Sequence, residues 1–208
     1  MVSGMRSALT LFKENIEQAK QLSSLYEYLL TKKFPLSFDD ILRSQVVYTV
    51  SAFDKFMHDL IRIGMVEIFS GIRSKTPRYL SETISIEVCL DLESATILPK
   101  EYVFEQAVFN KLKSIAYQDP NKVAEGLSYI WNEKQKWKKI AINMSMNENE
   151  VKTKLKLIVS RRNAIVHEAD IDPITGKKYL INRDDCDTIT DFLNSCGQEI
   201  FNLVSLPE

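Results

Sequence analysis

Apolar residues recur at intervals of three and four over most of the chain, the spacing that lines them up on one face of a helix. Leu9, Phe12, Ile16, Ala19, Leu22 and Tyr26 predict a first helix from Met5 to Leu30. Phe34-Pro35-Leu36 breaks it. Ser37, with Asp40 three positions on, is a start signal for a second helix from Asp39 to about Phe69, whose core stripe is Val46, Val50, Phe53, Met57, Leu60, Ile61 and Ile68. Arg73 to Pro77 reads as a loop. Within residues 71–98, Ile84, Ile86 and Val88 alternate as in a strand, yet helix is preferred by a narrow margin. Pro99 suits a first helical position and predicts a helix from Lys100 to Gln118. Asp119-Pro120-Asn121 breaks the chain and restarts it, predicting a helix from Lys122 to about Ile142. Ser145-Met146-Asn147-Glu148 fits a capping box opening a helix from Met146 to about Glu168. A turn-rich loop, Asp170 to Gly176, follows, and Asn182 caps a last helix from Arg183 to about Leu203. No repeat or linker interrupts the pattern, which reads as one helical domain over residues 1–208.

Composition agrees with an all-α reading. The 208 residues include only six Gly and six Pro, too few turn formers for many short strands. Lys and Arg number 27 against 28 Asp and Glu, a net charge of −1, which excludes nucleic-acid binding by bulk charge but leaves room for a local basic cleft. No apolar run approaches the roughly 18 residues of a membrane span. The start of the chain leads into an amphipathic stretch rather than a signal-peptide core, so a cytoplasmic protein without membrane contact is expected. Cys89, Cys186 and Cys196 form no CxxC pair, and the odd count suits reduced thiols. With two histidines, no Cys cluster, no GxGxxG and no P-loop pattern, neither a metal nor another cofactor is expected.

The chemistry-bearing segment is Ile158 to Asp170. At 100° per residue, Val151, Leu155, Ile158 and Ile165 share one stripe and Arg162 falls in its middle. A guanidinium there must be paired, hydrated or at an interface. Asn163 and His167 share a row beside the stripe, about 140° around the helix from Arg162 in the case of His167. One helix therefore does not aim Arg162 and His167 at one atom; a long reach, a bend or a second copy of the helix must close the gap. The plainer alternative is a buried Arg that pairs with a carboxylate or caps carbonyls.

Arg162-Asn163-Ala164-Ile165-Val166-His167 resembles the R-x4-6-H motif of HEPN domains. The longer string from Arg161 to Asp170, with Asp172-Pro173 and Gly176, resembles the RiboL-PSP-HEPN branch, as does the stretch from Ser51 to Leu60. The resemblance runs from about Asp39 to Leu203. It implies an up-and-down helical bundle with extra helices that dimerises through the motif helix, and a composite site at the two-fold axis. Many members of that superfamily are metal-independent endoribonucleases acting as toxins or phage-defence effectors, and others are inert modules that bind RNA, nucleotide or protein. The expected activity is RNA cleavage by 2′-OH attack, with Arg162, Asn163 and His167 as catalytic residues. His titrates near neutral pH and serves as base or acid. Arg offers a bidentate fork to phosphate oxygens. Asn163 can orient His167 or bond phosphate. The expected partners are RNA, a second copy of the chain and an antitoxin or regulatory protein.

Other positions carry weaker signals. Asp54, His58 and Arg62 form one row, either a substrate-side cluster that includes His58 or a surface salt-bridge row; the row of ion pairs is favoured. Trp131, Lys134, Trp137 and Lys138 belong to a stretch that interleaves aromatics and lysines, so Lys134 and Lys138 are candidate RNA contacts, against an ordinary solvated helix face. Arg161 is a candidate phosphate contact or an idle surface Arg. Asp170 and Asp172 read as turn formers.

Overall fold

The structure is a computed structural model that describes residues 4–205. Among these, nine helices and no strand occur: α1 (Gly4–Thr31), α2 (Asp39–Phe69), α3 (Pro77–Leu80), α4 (Ile86–Ser94), α5 (Lys100–Leu112), α6 (Pro120–Leu127), α7 (Lys136–Asn143), α8 (Glu148–His167) and α9 (Arg183–Val204). An isolated bridge, Ile171 with Lys178, is the sole extended pairing described. The four long helices form an up-and-down bundle. Gly4 meets Ile63, the Phe12 ring stacks on Phe56, and Ser23 bonds Gln45, so α1 and α2 are antiparallel. Arg43 of α2 reaches Asp170 just past α8, so α8 runs against α2. Leu42 and Cys186 pack together at one end and Arg73 meets Val204 at the other, so α9 runs with α2. Helices α3 to α7 lie between α2 and α8 in sequence and cover the side and one end of the bundle.

The core is the stripe anticipated on each long helix. Phe12, Ile16, Phe53, Phe56, Leu60, Ile61, Val151, Leu155 and Leu193 are all buried. Helix α9 comes close to α1 because position 197 is Gly: a Cβ there would stand 2.5 Å from the Phe12 ring. Toward the motif end, a cluster of polar side chains joins α1, α2 and α9. Ser23 Oγ and Gln45 Nε2 donate to Asp187, and Gln45 Nε2 and Thr49 also meet Thr190. At the other end, Arg73 ion-pairs with Glu67 and donates to the Val204 carbonyl and to Met5 Sδ.

Several boundaries depart from the sequence reading. The helix expected over Lys100–Gln118 stops at Leu112, because tertiary partners take over the backbone: His58 Nε2 bonds the Ile115 carbonyl and the Tyr117 N–H donates to Asp54. The helix expected over Lys122–Ile142 is two, α6 and α7. Between them, the Tyr129, Ile130 and Trp131 N–H groups bond the Gly126 and Leu127 carbonyls in closing turns, and all three side chains are buried. Segment 71–98 holds two short helices, capped by Thr76 and Ser85. Ser37 accepts from the Asp39 N–H and Phe38 is the N-cap of α2. Asn147, not Ser145, caps α8, by accepting from the Glu150 N–H at 2.8 Å. Asn182 caps α9 as expected. No helix among the described residues is long and apolar enough to cross a membrane.

Candidate functional site

Helix α8 buries Val151, Leu155 and Ile158, and Ile165 packs beside Leu42, Val46 and Cys186. Arg162 lies between them on the same stripe and is half-buried. Its Nη1 donates to its neighbour Asn163 Oδ1 at 3.0 Å, and its buried Nε has no partner. Arg43, Arg62, Arg73, Arg78, Arg161 and Arg183 each pair with a carboxylate; Arg162 pairs with none among the described residues. Asn163 and His167 are exposed, and no hydrogen bond within the described residues fixes the His167 ring at the last position of α8. Arg162 and His167 leave different faces of the helix, as the 140° spacing requires. Lys156 and Ser160, both exposed, continue the row of Asn163 and His167 at helical intervals. This i, i+4, i+7, i+11 pattern was available in the sequence and adds a cation without an ion partner to the row.

The end of α8 is held by a buried carboxylate that the sequence reading treated only as a turn former. Ala169 and Asp170 take left-handed φ values of 52° and 60°. The Ala164 carbonyl accepts from the Glu168 and Asp170 N–H groups, closing the corner. Asp170 is 0% exposed and takes bonds from Arg43 Nε at 2.6 Å and from both terminal nitrogens of Arg161. Arg43 Nη2 donates to the Tyr179 carbonyl and Arg161 to that of Leu180. Arg161, a candidate phosphate contact, is thus committed to the fold: its fork is filled by Asp170, and its plane lies over the Tyr179 ring. Asp40 also pairs with Arg43, at 3.1 Å, so the two arginines under the motif meet two carboxylates.

The remaining candidates lie elsewhere. His58 is half-buried, bonds the Ile115 carbonyl at 2.8 Å and sits edge-on to Tyr117. It stands fifteen residues, or about 22 Å, along α2 from Arg43. Asp54 caps Tyr117, and Arg62 pairs with Asp59 and Glu105, so the row fastens α2 to the α5 region. Trp131 and Trp137 are buried, the latter donating to the Pro120 carbonyl, and offer no stacking surface. Lys134 and Lys138 are exposed. Lys134 shares a depression with Glu148 and Lys152 at the start of α8, ten residues of helix, about 15 Å, before Arg162. The structure therefore places Arg162, Asn163 and His167 on the last turns of α8, with only Arg162 and Asn163 in contact, and leaves His58 and Lys134 away from them.

Burial pushes the Cys186 thiol under this site up to about 12, so it stays protonated and acts as a small apolar filler. Among the described residues, no group of three or more His, Cys, Asp or Glu side chains is placed to hold a metal ion. The family model described as RiboL-PSP-HEPN matches residues 13–205. No curated protein and no solved structure matches the chain.

Proposed function

Because the chain belongs to the RiboL-PSP-HEPN family, a superfamily placement compatible with ribonuclease or RNA-binding function, we propose that it is a metal-independent endoribonuclease whose site forms where two copies of α8 meet. One observation carries the reading: Arg162 is the arginine on the core stripe left without a carboxylate, beside an exposed Asn163 and His167. A half-buried, unneutralised guanidinium is costly unless an anion is its partner, and a phosphodiester fits its fork. A two-fold axis presents each residue twice, so His167 of one copy takes the proton of the RNA 2′-OH while its mate protonates the leaving 5′-oxygen. The 2′-oxygen-to-phosphorus bond forms, the phosphorus-to-5′-oxygen bond breaks, and a 2′,3′-cyclic phosphate remains. Arg162 stabilises the charge that develops on the phosphorane oxygens. Lys156, on the row of His167, draws the flanking backbone into the groove. In a cell such an activity needs restraint, which suits a toxin or defence effector held by a regulatory protein.

The test is incubation of purified protein with total RNA in EDTA. The expected result is cleavage that survives chelation, falls roughly 10²–10⁴-fold in His167→Ala and is mostly lost in Arg162→Lys, which keeps charge without the fork. Light scattering should show a dimer. The second reading, an inert module that binds RNA, nucleotide or protein, is favoured by the different faces that Arg162 and His167 occupy on one helix. A folded, dimeric His167→Ala that cleaves like the parent, or a parent that binds RNA and never cuts it, would put that reading first.

A further inference from the structure

Helix α4 is apolar on two opposite sides and covered on one. Val88 and Leu92 face a cavity of about 670 Å³ that they share with Phe69, Phe104 and Val108. Ile86 and Leu90, four residues apart on the other side, are 80% and 59% exposed, and no residue of α4 is buried. An apolar stripe on a helix ordinarily has cover, and the Ile86–Leu90 stripe has none among the described residues. Leu80, Ile84 and Ile97 extend the exposed apolar surface at its edges.

The charge around this surface has one sign. From Glu82 to Gln106 there are six carboxylates against one lysine, Lys100, a net −5. Glu82 and Glu105 are used inside the fold by Lys111 and Arg62. Glu87, Asp91, Glu93 and Glu101 are exposed and in no ion pair among the described residues. An acidic rim repels RNA and anionic membranes. It also disfavours a two-fold contact between copies of this face, which would set the rim against itself. The cover that fits is apolar along one stripe and positive on its flanks.

We propose that the outer face of α4 is a docking site for a basic amphipathic helix of a partner protein, whose apolar residues cover Ile86 and Leu90 while its lysines or arginines meet Glu87, Asp91, Glu93 and Glu101. This is the helix-in-groove mode, with specificity from the charged rim. The site is separate from the end of α8: Met65 at the cavity wall is twenty-two residues, about 33 Å, along α2 from Arg43. It stands whether or not the protein cleaves RNA.

Cys89 on α4 supplies the readout, being exposed while Cys186 and Cys196 are buried. The probe is a synthetic Leu/Lys peptide patterned as an amphipathic helix, beside a scrambled peptide of the same composition and a Leu/Glu peptide of the same pattern. The expected result is that the patterned Leu/Lys peptide alone slows maleimide modification of Cys89 in the whole protein. The Ile86→Ser/Leu90→Ser and Glu87→Lys/Asp91→Lys variants should each weaken its binding by roughly tenfold or more, as loss of central anchors or complementary charges does. These positions are exposed, and melting curves equal to the parent establish that the fold persists. Protection by all three peptides alike, by none, or undiminished in both variants overturns the proposal. So does protection by anionic vesicles, or protection that grows with the protein's own concentration, which would give the face to a membrane or to a second copy.

Discussion

Replacing Asp170 tests whether the corner after α8 rests on a buried charge. The perturbation is Asp170→Asn. Asn tolerates the left-handed φ of 60° that Asp170 adopts, so the backbone is not asked to move. What changes is charge: the Arg43 side chain is 7% exposed and loses its buried anion, keeping only Asp40, 73% exposed, at 3.1 Å, and Arg161 loses the charged oxygens that fill its fork. Removing one member of a buried ion pair costs about 3–5 kcal/mol because the other is left uncompensated. The Asn oxygen still accepts one bond from Arg43, which places this variant near about 3 kcal/mol and Asp170→Ala nearer 5. At roughly 2–4 °C per kcal/mol for a chain of this size, Tm should fall by about 6–12 °C in Asp170→Asn. The assay is a pair of urea and thermal melts at neutral pH. Arg43→Met with Asp170→Asn should cost less than the two single changes added together, since the double variant leaves no lone cation at that position. Asp170→Asn melting within about 1 kcal/mol of the parent would refute the reasoning and mean that Asp40 suffices to compensate Arg43.

Gly197→Ala should cost about 1–3 kcal/mol in a thermal melt, because its Cβ would stand 2.5 Å from the buried Phe12 ring; an unchanged melt would mean α9 shifts freely over α1. Burial raises the Asp187 carboxyl, but bonds from Ser23 and Gln45 and the Arg183 charge outweigh it and hold it below the ordinary 3.8. Its stabilisation is therefore complete above the ordinary carboxylate range and lost as pH falls through the lowered value, so Asp187→Asn should flatten the acid limb of stability against pH. For the proposed cleavage, Lys134→Ala with Lys138→Ala should leave the rate at saturating RNA unchanged, whereas Lys156→Ala should raise the RNA concentration needed; a rate loss in the lysine pair would bring the start of α8 into the site.

How far the sequence discloses the molecule depends on where each segment's partners lie. The long helices α1, α2, α8 and α9 were legible to within a residue or two, because each carries its own apolar period and Asn182 its own cap. The segment from Leu112 to Gln118 was not, because Asp54 and His58, some sixty residues away, bond its backbone in place of helix hydrogen bonds. The break at Tyr129–Trp131 was not legible either, because its turns are closed by local backbone bonds that no spacing of apolar residues announces. In the candidate site, Arg162, Asn163 and His167 were singled out by the resemblance of their motif, and the half-buried place of Arg162 on α8 agrees with the stripe that helical spacing gave it. Asp170 was seen as a turn residue and not as the buried anion of Arg43 and Arg161, since nothing in spacing tells which of several arginines a carboxylate will meet. Arg161 and Arg162 show the same limit from the other side: adjacent and chemically identical, they differ only in which way α8 turns them.

Arg73, by bonding Met5 Sδ and the Val204 carbonyl together, brings the outer ends of α1 and α9 to one corner of the bundle. That corner lies a full helix length, about 30 Å, from Arg183 and the motif end. The order of the helices along the chain is thereby separable from their arrangement in space. A short linker from Val204 to Met5, with the chain opened instead in the exposed turn between α1 and α2, would give a circular permutant with the same four-helix packing and the same α8 end. For engineering, the corner beside Arg73 is the place to attach a reporter, a tether or a second module without crowding His167.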